Sequence, residues 1–373
     1  MHLINYSFSK RKKSFAVMLS ILVIVVLIVL GIIIYNRSIF ELNSVRRSRL
    51  STKALWIAEA GINRALKELR SNFNQSGDGI FGDSFGGGNY SVDIEVIDSN
   101  TRKVISTGSI ASGSSSIKRI IEVEIKKYIP GNFYDSPVYC AGNVDINGSS
   151  YSITSEDSLE ENSAIMYAGS YSVEHPENIT GTVTYDSSIA PLARFDFQQL
   201  YDMSSSQGNI YDADRLKEVQ KGNDSFPSSF WYTRADDGID NDNDGQTDET
   251  DEWVPNVVYV ESDLQLNGNI GTIGGFFVVV GDVITDPDET DDAVINGNGT
   301  IDGVIYTLGE FRINGGGGNL NVNGGVWAGE EVRINGNASI TYESNYMDAI
   351  EALDIDPGVY ISSWQESTNP YRL

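Results

Sequence analysis

One cysteine, Cys140, and two histidines, His2 and His175, are all that this 373-residue chain offers of the side chains that most often carry metal or redox chemistry. A lone cysteine excludes an intrachain disulfide, and two histidines are too few for a histidine-rich zinc or haem centre. Basic residues are also short, 26 Lys/Arg against 52 Asp/Glu, for a formal net charge of -26. A free nucleic-acid binder would have to overcome that field, so no such role is expected. There is no GxSxG, no HExxH and no Cys/His pair for nucleophilic catalysis. Asp282, Asp302, Glu310, Glu330 and Glu331 have no spacing that defines a catalytic pair. The chain therefore reads as non-enzymatic.

The charge is unevenly placed. Residues 1–70 carry 12 Lys/Arg and 3 Asp/Glu, a balance of +9, while residues 71–373 carry 14 and 49, a balance of -35. Such a split suggests that the two parts occupy different surroundings. Between them, residues 15–35 run 21 positions without a charge. As a helix they would rise about 32 Å, enough for a hydrocarbon core of about 30 Å. A cleavable secretory signal fits less well, because its apolar region should be shorter and end at a small-residue site. Cations flank the span on both sides, so the positive-inside rule alone does not orient it. An N-terminus in the cytoplasm and an acidic body in the periplasm or outside the cell is the arrangement expected, in a single-pass membrane protein.

The helical pattern does not stop at the end of the span. Apolar residues recur at three- and four-residue steps through residues 36–70, and no proline interrupts residues 15–70. One helix of about 55 residues follows, with Ala54, Ala58, Gly61, Ile62 and Ala65 forming a face that permits close approach to a sheet or another helix. Glu59 reads as a solvated carboxylate on that helix.

The basic leader KRKKS at 10–14, the apolar helix from Phe15 and ALWIAEAGINRAL at 54–66 together resemble the minor type IV pilins of the PilX-like assembly family. The resemblance covers residues 1–130. It implies a leader, residues 1–14, removed by prepilin peptidase at Ser14–Phe15, although family members usually carry glycine where Ser14 stands. It also implies a helix that anchors the subunit and then packs in a filament. The glutamate common five residues into major pilins falls on Leu19, a departure that suits a minor or tip-located subunit. Implied partners are other pilins or minor pilins and the inner-membrane pilus assembly machinery. Two alternatives stay open: an adhesin-like module with a surface ligand of unknown type, and a minor pseudopilin of a type II secretion system.

Beyond the helix, residues 89–128 hold three alternating runs that read as an antiparallel β-meander covering the helix face. From Val138 the texture changes. DING (145–148), QLNG (265–268), VING (294–297), RING (312–315) and RING (333–336) punctuate short β-branched runs. A strand, a tight Asn-Gly corner and another strand at about 20-residue spacing read as rungs of a β-helix or β-solenoid. A sandwich of Asn-Gly hairpins is the alternative. The glycine run 315–318 lacks the ending of a phosphate loop. The fold class expected is thus α+β: a membrane-anchored, pilin-like helix and meander, then an all-β domain. That domain has a first solenoid part at 138–186, an insertion at 187–256, a second part at 257–346 and a tail at 347–373.

The insertion contains DNDNDGQTDETD at 240–251. Asp240, Asp242, Asp244, Gln246 (through its carbonyl), Asp248 and Asp251 fall at the ligand positions of a calcium loop, with Gly245 at the sharp turn. Residues 236–252 hold nine acids and no Lys/Arg, a concentration of charge that a cation would offset. Calcium is therefore the expected cofactor, in an isolated structural loop.

Overall fold

The computed structural model describes residues 5–130, 132–155, 163–232, 254–281, 290–314, 319–353 and 355–367, with backbone alone for residues 5–17. An N-terminal apolar helix is followed by a large β-rich body whose sheet is partly curled. The helix, α1 (Asn5–Ser71), is continuous over 67 residues, a length of about 100 Å at 1.5 Å per residue. Nothing in its sequence breaks it, and its apolar residues from Met18 to Val45 lie open to the surroundings.

From Leu50 onward one side of α1 is covered by an antiparallel sheet. Its strands β1 (Gly77–Phe85), β2 (Gly88–Val96), β3 (Thr101–Ser112) and β4 (Ser115–Lys127) follow in sequence order. The glycine-rich stretch after α1 thus supplies an edge strand, one more than the alternating runs suggested. A fifth strand comes from the far end of the chain: Val359–Ser367 pairs antiparallel with β4, Tyr360 opposite Lys126 and Trp364 opposite Val123. Val92, Ile94, Val104, Ile121, Val123 and Ile125 point from the sheet to Ala58, Ile62, Ala65 and Leu69 of α1. The strands alternate because only one face of this sheet is covered.

The body obeys a different rule, parallel pairing. Its strands are β5 (Val138–Cys140), β6 (Asn143–Ile146), β7 (Val257–Val260), β8 (Leu264–Val279), β9 (Ala293–Thr307), β10 (Glu310–Asn314), β11 (Leu320–Ala328), β12 (Glu331–Asn335) and β13 (Ala338–Thr341). Glu310 of β10 lies opposite Glu331 of β12, and Thr300 of β9 opposite Asn321 of β11, each a displacement of 21 residues. Two of the Asn-Gly sequences lie within this parallel pairing and do not turn hairpins: Asn267 and Gly268 stand beside Asn296 and Gly297. Their side chains stack, Asn296 Nδ2 donating to Asn267 Oδ1 at 3.0 Å and Asn314 Nδ2 to Asn296 Oδ1 at 3.1 Å.

Stacking order departs from sequence order. One ladder runs through Ile210–Tyr211, β7, the ends of β8, β9 and β11, then β5, Ser163–Tyr167 and Thr182–Tyr185. β5, which comes first in sequence, is therefore stacked on β11 of the later part. From Tyr185 the chain must return along the stack to reach Ile210. It does so over the outer face of the ladder, burying Ile189, Leu192, Ala193, Phe195 and Leu200 there. The helices α2 (Phe197–Gln207) and α3 (Ala213–Lys221) complete the return, each N-capped by an aspartate, Asp196 and Asp212. A last helix, α4 (Ser344–Glu351), lays Met347 and Ile350 on the same outer face.

Candidate assembly surface

Helix α1 has two environments along its length. Over residues 18–45 its apolar side chains are exposed, Phe40 at 76% and Leu42 at 70%. Among the described residues this is the one helix long and apolar enough to cross a membrane, as an anchor or as a signal sequence. Ser14 and Phe15 lie within the helical backbone of its first turns. Arg46, Arg47, Arg49 and Lys53 stand exposed on the same helix, between the apolar span and the sheet.

Farther along, α1 is pressed closely against the sheet. Ala54, Ala58 and Ala65 are fully buried and Ile62 nearly so. A Cβ at Gly61 would run into the Ser106 hydroxyl and stand 3.1 Å from both Tyr90 and Val92. From the other side, a Cβ on Gly108 of β3 would strike the Ala54 carbonyl oxygen and the backbone of Ala58. Small side chains on α1 and glycine on β3 together bring the two backbones into contact. At the near end of the sheet, Arg119 Nε donates to Ser51 Oγ at 2.7 Å, and Arg119 Nη1 lies 3.1 Å from Glu366 of the C-terminal strand.

The opposite side of α1 holds a residue that the sequence reading passed over. Trp56 is 60% exposed, its neighbours Ala54 and Ile57 being buried in the sheet. It falls eleven residues after Val45 and fourteen after Leu42, three and four helical turns, so the three line one exposed face. That spacing is the signal the sequence carries for this face. Glu59 is half-buried.

On the body, Arg312 and Arg333 stack one strand apart, and each is held by carboxylates of its own face. Arg312 donates to both oxygens of Glu310. Arg333 donates to Glu331 at 2.7 Å and stands 3.6 Å from Glu310 and 3.8 Å from Asp145. The hydrogen bond to Glu331 holds the Arg333 guanidinium above its ordinary pKa. The row is an ion-pair network of two guanidinium groups and three carboxylates.

The expectation of calcium is corrected. Among the described residues, no group of three or more His, Cys, Asp or Glu is placed to hold a metal ion. Several carboxylates there are engaged by arginine, lysine or backbone N–H, as at Glu310, Glu122 and Asp196. Asp240, Asp242, Asp244, Gln246, Asp248 and Asp251 lie outside the described residues.

No family model matches the chain, and no curated protein matches it. Among solved structures it is similar to the competence-associated pilin ComZ from Thermus thermophilus, at 12% identity and a TM-score of 0.21. That alignment covers 85% of this chain and 98% of the other, and at such a score it carries no argument about fold or function.

Proposed function

We propose that the chain is a non-enzymatic, minor pilin-like subunit that takes part in assembling, priming or capping a type IV filament. The observation that carries this reading is the division of α1. Its first half presents apolar side chains on every side, and its second half is welded to an antiparallel sheet. A helix of that kind inserts into a membrane on its own and into a bundle of like helices once extracted, while the sheet carries the body outward. The sequence resemblance over residues 1–130 points the same way, and the absence of glutamate at Leu19 favours a minor subunit over a polymer-forming one. Partners on this reading are other pilins and the membrane-bound assembly machinery, with prepilin peptidase acting at Ser14–Phe15.

The body is a β-solenoid on this reading. Parallel register at a 21-residue displacement, aligned Asn-Gly corners and an inward column of Ile295, Ile313, Ile334 and Ile146 support it. Such a stack makes a rigid head without catalytic groups.

Deletion of the gene followed by imaging of surface filaments tests the function. Filaments should be lost or reduced, and return with the wild-type chain. A Trp56→Asp chain should insert and fold but fail to restore them, since Trp56 faces away from its own sheet. Normal filaments in the deletion strain would overturn the proposal. Sequencing the N-terminus of the mature protein should begin at Phe15; a retained Met1 would instead make it a permanently anchored accessory protein.

A further inference from the structure

The two ends of the body's stack are finished differently. At one end Ile210–Tyr211 pairs with β7, and α3 packs on that strand. Leu216 of α3 enters the inner core, and the Phe226 ring lies 4.5 Å from that of Tyr211. Arg215 Nη1 donates to the carbonyls of Gly208 and Ile210 at 2.7 and 2.8 Å. At the other end three short strands form the last rung. Tyr171–Val173 lies beside β6, Ile179–Thr180 beside Ser152–Thr154, and Thr182–Tyr185 beside Ser163–Tyr167. Among the described residues no strand pairs with their far side. The inner core runs out to this end, where Tyr171, Val173 and Ile179 are only partly buried, Val183 is 39% exposed and Tyr185 59%.

Backbone groups as well as side chains are left open there. Successive N–H groups of a strand point to alternate sides. Asp186 N donates to the Tyr167 carbonyl at 2.9 Å and Glu174 N to the Ile146 carbonyl at 2.8 Å, both toward the stack. The N–H groups of Val183 and Tyr185, and of Tyr171 and Val173, therefore point away from it. A solenoid needs a cap at each end, and an uncovered strand edge is a template for another strand. Charge decides which strand. Residues 128–193 hold nine acids and no Lys/Arg, and Glu174 and Glu177 stand exposed beside the rung. A second copy brought to this end would set acids against acids. An incoming segment with Lys or Arg at its ends would meet carboxylates instead.

We propose that this end of the body adds a β-strand from a partner protein, an extended segment that alternates β-branched residues and carries Lys or Arg at its ends. It pairs along Thr182–Tyr185, taking the N–H groups of Val183 and Tyr185, and its apolar side chains cover Val183 and finish the inner core. The inference does not depend on the pilin reading.

Fluorescence anisotropy of a labelled peptide, KTVTVTK, with the full chain in detergent micelles tests it. One saturable site per chain is expected, weakened by added sodium chloride. Two control peptides should bind at least tenfold more weakly: the charge-reversed ETVTVTE, and KTVPPTK, whose prolines remove donors on both sides. In the chain, Val183→Pro removes an N–H on the open side and none on the stacked side, and should weaken binding at least tenfold. The double variant Glu174→Gln/Glu177→Gln, which leaves the strand intact, should weaken it several-fold and reduce its salt dependence. Hydrogen exchange at the Val183 and Tyr185 amides should slow on saturation. No saturable binding of KTVTVTK by the unmodified chain overturns the proposal, whatever the folding of the variants. So does equal binding of either control peptide, unchanged affinity in Val183→Pro or in the double variant, or saturation without slower exchange at those two amides. Self-association of the chain that is lost in Val183→Pro would overturn it too, assigning the end to a second copy.

Discussion

The sheet beneath α1 and the curled sheet of the body bury their strands in different ways. In β3, Val104, Ser106, Gly108 and Ile110 are buried while Ile105, Thr107 and Ser109 between them are partly exposed, because only α1 covers the sheet. In the body ladder, Val257, Val258, Tyr259 and Val260 are all buried, and so are Val326, Trp327 and Ala328. Their alternate side chains enter two separate cores, an inner aliphatic one and an outer one rich in rings. The comparison shows what each unit depends on. The antiparallel unit depends on a close fit of one helix over neighbouring strands, whereas the body depends on aromatic side chains that fill the space under a returning segment.

The largest expected effect therefore lies in the outer core. Trp327 is fully buried, 4.5 Å from Phe133 and 5.9 Å from Phe276 between ring centroids. Trp327→Ala should destabilise the body by about 3–5 kcal/mol. Cys140, on the neighbouring strand β5, gives a local readout: burial pushes its thiol up to about 12, and its Sγ donates to the Asn143 carbonyl at 3.2 Å. A maleimide at neutral pH should label native protein only through opening of the body. Labelling should accelerate roughly a hundredfold or more in Trp327→Ala, at 1.4 kcal/mol per tenfold. Unchanged labelling would mean that the outer core is not what closes the stack.

The difference between the units also decides how much was legible in the sequence. Period-two alternation and a proline-free apolar stripe mark α1 and β2–β4, because each strand pairs with its sequence neighbour and one face meets one helix. The Asn-Gly repeats likewise expose the 21-residue displacement of β10 and β12. Stacking order was not legible. Nothing local in Val138–Cys140 says that it pairs with Val326–Ala328, since a short apolar run fits any ladder of the same width. Nor does YISSW at 360–364 announce that it closes the sheet under α1, more than 230 residues after β4. The small-residue face of α1 stood out in the sequence, whereas Trp56 on its opposite side did not, because Leu42, Val45 and Trp56 recur too sparsely to compete with the stripe toward the sheet.

A second substitution probes the close fit of the other unit. Ala58 is fully buried against β3, while Asn63, also on α1, is exposed. Ala58→Glu should cost roughly 3 kcal/mol at neutral pH, by burying an unpaired carboxylate, and Asn63→Glu less than about 0.5 kcal/mol. The pH dependence has a definite sign. Burial raises the folded-state pKa of the new carboxyl above its ordinary value of about 4.3, so part of the deficit should be recovered as pH falls toward that value. Denaturant titrations of both variants at neutral and acidic pH check it, and equal stability of the two would place the covered face of α1 elsewhere. Cys140 labelling by maleimide at neutral pH should stay slow in Ala58→Glu if the two units open separately.

The smallest effect expected is in the asparagine row along the corners of the body, where neither core reaches. Asn314 donates to Asn296 Oδ1 at 3.1 Å and its Oδ1 faces Asn335 Nδ2 at 3.5 Å, so one side chain links three strands. Asn314→Ala removes the good contact and the longer one together, yet leaves the backbone pairing of β10 with β12 untouched. An intramolecular hydrogen bond contributes about 0.5–1.5 kcal/mol net, and water competes here because the row is exposed. A loss near 0.5 kcal/mol is the expected outcome in a denaturant titration, smaller than the loss in Trp327→Ala by a factor of six or more. If Asn314→Ala instead costs as much as Trp327→Ala, the corners rather than the outer core hold the strands in register, and the contrast between the two units has to be redrawn around the asparagine row.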